Sequence, residues 1–111
     1  MKRGLFFLFS LLILTLLTSE ARVYKGQKEY IKKCKKCHLH GQELTSSRKK
    51  LQWEEMMKDS GKALAQLHLE NKKAKESWKY FESKKYQKNS KHLKDFLVEY
   101  AKDSGNIPAC D

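Results

Sequence analysis

Cys34, Cys37 and His38 are the residues whose types and spacing point to a definite chemistry. They form the run Cys34-Lys35-Lys36-Cys37-His38, a C-x-x-C-H pattern that marks covalent attachment of c-type haem. Two thiols three positions apart face one side of a helical turn, so each can add to one of the two vinyl groups of the porphyrin. The histidine that follows then lies beneath the iron and binds it axially. Two other chemistries use part of this pattern. Zinc could take Cys34, Cys37 and His38 or His40, but it prefers four ligands, and no second ligand pair of similar spacing occurs in the chain. A thioredoxin-like dithiol requires a βαβ context, and no stretch here alternates with period two.

Elements suited to positioning the motif flank it. Val23 to Lys33 is predicted as a helix, with Val23, Gln27, Tyr30, Ile31 and Cys34 at helical spacing. Gly26 lies inside it, at a cost of about 1 kcal/mol relative to alanine. Leu39 to Ser47 reads as a loop. A helix is expected from about Ser47 to Lys58, broken at Ser60-Gly61. Lys62 to Leu69 and Ala74 to Phe81 read as short helices, with a turn at Asn71-Lys72-Lys73. The lysine-rich stretch Ser83 to Ser90 reads as a solvated connection. In the last helix Leu93, Phe96, Leu97, Tyr100 and Ala101 form an apolar stripe, with Asn89 or Ser90 as its cap. The fold class is therefore all-α.

Residues 1–21 have the anatomy of a secretory signal. Met1-Lys2-Arg3 is positive, Leu5 to Leu17 is apolar with only Ser10 and Thr15 interrupting, and cleavage is expected after Ala21. Removing 21 of the 111 residues leaves a domain of 90, residues 22–111, which a covalent cofactor would help to stabilise. The expected location is periplasmic. Loss of Lys2, Arg3 and Glu20 lowers the net charge of +11 by one. An excess of this size favours acidic protein partners or loose association with an anionic membrane surface. Export and the lack of a recognisable motif argue against a nucleic-acid partner.

With these elements in place, the chain resembles a small class I cytochrome c. Gly26, Tyr30 and Cys34–His38 match the family's spacing, in which a helix carries a glycine, an aromatic four residues on, and C-x-x-C-H four residues after that. The resemblance implies a helical domain wrapped around one covalent haem c, with the final helix crossing the first near Gly26. It also implies single-electron transfer between respiratory redox partners, with no catalytic residues. The family's methionine ligand, next to a proline, would fall near Trp78 and Phe81, where neither residue type occurs. Residue type alone leaves His68, Met57 and Met56 as candidates for the distal position, or an iron left open. His40 lies too close to His38, and His92 reads as solvated between Lys91 and Lys94. An open iron would make the protein a gas-binding or sensing haem protein, or a haem subunit of a larger oxidoreductase. Lys28, Lys32, Lys33, Lys35 and Lys36 are expected to ring an exposed haem edge and steer acidic partners. Cys110 is left over, for an intermolecular disulfide, a free thiol or an inert tail.

Overall fold

The computed structural model describes residues 20–109. Most of the proposed signal segment, residues 1–19, lies outside the described residues, as does Cys110. Glu20 and Ala21 belong to the first described helix.

The described residues form an all-helical domain without strands. Helix α1 covers residues 20–33. It is followed by α2 (Lys35–His38), α3 (Gly41–Thr45), α4 (Lys50–Met56), α5 (Lys58–Leu69), a 3₁₀ segment (Lys72–Ser77), α6 (Trp78–Phe81) and α7 (Lys84–Glu99). No helix among the described residues is long and apolar enough to cross a membrane.

The α1–α7 crossing organises the domain. A Cβ on Gly26 would sit on the His92 carbonyl and lie 2.7 Å from Phe96 Cβ. Glycine is thus required by close approach of the two helices. One turn further along α1, the Tyr30 ring meets Phe96 at 5.5 Å, and both are buried. Trp53, Met57, Phe81, Tyr86, Leu93 and Leu97 continue this core.

Helix α7 begins earlier than its lysine content suggests. Ser83 caps it, its hydroxyl accepting from the Tyr86 N–H at 3.2 Å. Tyr86 and Ser90 are buried, at 1% and 4% exposure. Together with Leu93 and Leu97 they extend the buried stripe at steps of three and four. The expected connection over Ser83–Ser90 is therefore helix, and Asn89 and Ser90 are not caps. Lysines on the outer face masked the stripe because only one large apolar residue marks it over two turns. The loop expected over Leu39–Ser47 contains the short helix α3. Helix α4 starts at Lys50 rather than Ser47. The Lys49 N–H donates to Gln52 Oε1 and the Lys50 N–H to Asp103 Oδ1, both at 2.8 Å. Two of the helix's four unpaired N–H groups are thereby satisfied.

The expected break at Ser60-Gly61 is present. Asp59, Ser60 and Gly61 have φ of 51°, 57° and 72°, so right-handed helix resumes only at Lys62. Three successive left-handed residues are costly. The Tyr86 hydroxyl, donating to the Gly61 carbonyl at 2.6 Å, holds the turn against α7. A Gly61 side chain would collide with that phenol.

His92 is half-buried at the α1–α7 crossing rather than solvated. Its Nδ1 is buried and has no hydrogen-bond partner among the described residues. Burial, followed by the charges of Lys25, Lys91 and Arg22, holds its pKa below the ordinary 6.5, with Asp95 opposing. The unfolded chain therefore binds this proton at higher pH than the folded one. Stability falls as pH drops below about 6.5 and continues to fall until the folded group titrates. We expect His92→Gln to reduce the loss of urea resistance between about pH 7 and pH 5. An unchanged pH profile in H92Q would refute this account.

Candidate haem site

The C-x-x-C-H run occupies the junction of α1 and α2. The Cys37 and His38 N–H groups both donate to the Cys34 carbonyl, at 3.1 and 2.9 Å. This tight turn leaves Cys34 half-buried and Cys37 exposed. Burial, with Glu29 and Cys37 nearby, pushes the Cys34 thiol up to about 12, so it is protonated at neutral pH. The chain leaves α2 through Leu39, whose φ is 61°. Tyr30 anchors this exit, its hydroxyl donating to the Leu39 carbonyl at 2.8 Å. The aromatic four residues before the motif thus fixes the chain on its far side.

His68 faces the motif from α5. Its ring centre lies 5.9 Å from that of His38. Two imidazoles on opposite sides of one metal, each bonded at about 2 Å, have ring centres about 6 Å apart. His68 Nδ1 lies 2.8 Å from the Leu64 carbonyl. A carbonyl only accepts, so Nδ1 carries a proton, and in the neutral ring the lone pair that a metal ligand requires is then on Nε2. Burial, followed by the neighbouring His68, lowers the pKa of His38. Both effects favour the neutral imidazole that binds metal.

Two adjoining cavities meet at these histidines. The inner one, about 50 Å³, is walled by Tyr30, Leu44, Trp53, Leu64, Leu93 and Leu97 together with Cys34, His38, His68 and Phe81. The outer one, about 290 Å³, shares the last four residues and opens to solvent past Cys37, Asn71, Lys73 and Ser77. Ligand pockets usually span about 300–1,000 Å³, so the pair reaches the low end of that range. A porphyrin would have to displace the exposed 72–77 segment outward. The residues fit haem in donor set, in the spacing of the histidines and in the apolar inner wall. Among the described residues no three His, Cys, Asp or Glu side chains gather to hold a metal ion, the arrangement that a zinc site would need.

Met56 and Met57 line neither cavity. Met57 is buried with its terminal methyl beside Gly61, and Met56 faces a shallow groove with Leu51 and Arg48. His40 is exposed at the start of α3. Of the expected lysine ring, Lys33 lines the mouth, and Lys36 pairs with Glu76 of the mouth at 3.1 Å. Lys28 lies over the Tyr24 ring, and Lys32 and Lys35 do not line the opening. Lys73 and Lys75 do. The K-K-A-K run at 72–75 signalled them, but only tertiary folding places it opposite α2.

Sequence reading also missed the residues that hold His68. The Trp78 indole N–H donates to the His68 carbonyl at 2.7 Å. Phe81 stacks on the His68 ring at 4.1 Å and 24°. Tyr80 donates at 2.6 Å to Glu29, a buried carboxylate of α1, and burial followed by that hydrogen bond raises the phenol's pKa. In comparisons with known proteins, no family model, no curated protein and no solved structure matches this chain.

Proposed function

We propose that the protein is an exported monohaem c-type cytochrome that carries single electrons between redox partners. The observation that carries this reading is the placement of His68 opposite the His38 of a C-x-x-C-H turn, with its Nδ1 committed to a backbone carbonyl. Cys34 and Cys37 would hold the porphyrin as thioethers, and His38 and His68 would hold the iron. Haem iron, when bound, supplies reversible one-electron chemistry at a potential set by its ligands and surroundings. The chain's contribution is positional. Tyr30, Trp53, Leu93 and Leu97 exclude water from the inner wall, and burial favours the neutral form of His38. Lys33, Lys73 and Lys75 place positive charge at the opening, which would speed encounter with acidic partners and make it salt-sensitive. A periplasmic location and the absence of catalytic residues belong to the same reading.

The test is expression of the full chain in a host that attaches haem to exported proteins. The expected product has covalently bound haem and a reduced-minus-oxidised spectrum of low-spin, bis-histidine type. Rapid carbon monoxide binding by the reduced wild-type protein would favour the gas-binding alternative. An iron–sulfur band in the far red would reassign the ligand to methionine. Absence of covalent haem would refute the reading.

A further inference from the structure

We propose that the aromatic turn Trp78–Phe81 is a positioning element that fixes the separation of His38 and His68, and thereby sets how firmly His68 occupies the iron's sixth position. This inference rests on the cytochrome reading and deepens it. Three consecutive constraints come from one helical turn. Trp78 holds the backbone of His68 through its carbonyl at 2.7 Å. Phe81 holds the ring, stacked at 4.1 Å. Tyr80 reaches in the other direction, to Glu29 on α1, the helix that precedes Cys34, at 2.6 Å. The turn therefore links the backbone that carries His68 to α1, the helix that leads into Cys34 and, through the Cys34 carbonyl, into the short helix α2 that carries His38.

These contacts are specific to position. Half-buried indole N–H and phenol O–H groups need acceptors; the Trp78 indole is shared between the His68 carbonyl and, at 3.2 Å, the Asn71 carbonyl, and the Tyr80 phenol takes the Glu29 carboxylate on α1. Phe81 and Tyr80 also meet edge-to-face at 5.4 Å, as do Tyr80 and Tyr86 at 5.5 Å, so the turn is braced on α7. The His68 ring has few ways to leave: its Nδ1 is tied to Leu64, one face is covered by Phe81, and its main chain is pinned by Trp78. A ligand held in this way loses little freedom on binding metal, and an entering gas molecule must first compete with it.

The test uses the holoprotein, with carbon monoxide as the probe. Flash-photolysis and stopped-flow rates would be measured on reduced wild type, F81L, Y80F and V98A. Val98 packs on the core away from the cavities and serves as the control for general destabilisation. If F81L raises the fraction of His68-off protein about tenfold, carbon monoxide binding should accelerate by about the same factor. Y80F should give a smaller acceleration and V98A none, even though V98A lowers the unfolding midpoint. Should F81L fail to accumulate, Y80F, which deletes a single oxygen atom, carries the test. Carbon monoxide rates within twofold of wild type in a low-spin F81L or Y80F holoprotein would overturn the positioning role and leave the cytochrome reading intact. A wild-type chain without covalent haem would overturn both.

Discussion

Replacing Gly26 by alanine is expected to destabilise the protein by about 3 kcal/mol, although in an isolated helix the same change would stabilise by about 1 kcal/mol. The added methyl has no free volume to occupy. It would meet the His92 carbonyl and Phe96 Cβ on α7, atoms fixed by that helix and by the buried Tyr30–Phe96 contact. Relief requires α1 and α7 to separate, which would open the core at Phe96, where exposure is 0%. Domains of this size are stable by only about 5–15 kcal/mol, so the loss is a large fraction of the total. Urea denaturation of G26A beside wild type measures it. Equal or greater stability in G26A would mean that the helices do not approach as described.

His68→Ala is expected to have the largest effect on the proposed site. Wild-type holoprotein should be low-spin in both oxidation states. H68A should become high-spin, with the sixth position open, and should bind carbon monoxide at least about 100-fold faster, because no internal ligand competes. The cavity left by the ring would lie against Phe81, and added imidazole should fill it and restore the low-spin spectrum. That rescue separates loss of a ligand from general damage to the fold. A low-spin H68A protein would transfer the role to another side chain, and Met56 or Met57 could take it only if α4 moved.

The parts of the molecule legible in the sequence are those fixed by local spacing. Cys34, Cys37 and His38, the proposed haem-holding residues, stand within five consecutive residues that fold into one turn. Gly26, Tyr30 and the Leu93–Phe96–Leu97 stripe follow helical periodicity, and their meeting is a property of two strong amphipathic patterns. His68 could be named only as one of several candidates. What distinguishes it from Met57 is the direction in which α5 leaves the left-handed turn at Asp59–Gly61, and no local signal sets that direction. The same holds for Tyr86 and Ser90. Their burial depends on the phenol reaching Gly61, 25 residues away, and the lysines around them gave a correct account of one face and concealed the other. Trp78 and Phe81 lay where a methionine ligand was expected. Their contacts with His68, through its carbonyl and its ring, are set by the tertiary fold and have no local signal in the sequence.

The crossing at Gly26 also has a kinetic consequence. It joins residue 26 to residues 92 and 96, so this contact spans most of the described chain. Forming such a contact requires the long intervening chain to close, at an entropic cost that grows slowly with its length. During synthesis the core therefore cannot close until α7 has been made. Throughout that interval Cys34, half-buried in the finished fold, lies on an unclosed chain. The crossing thus ties closure of the fold around Cys34 to the arrival of its last helix.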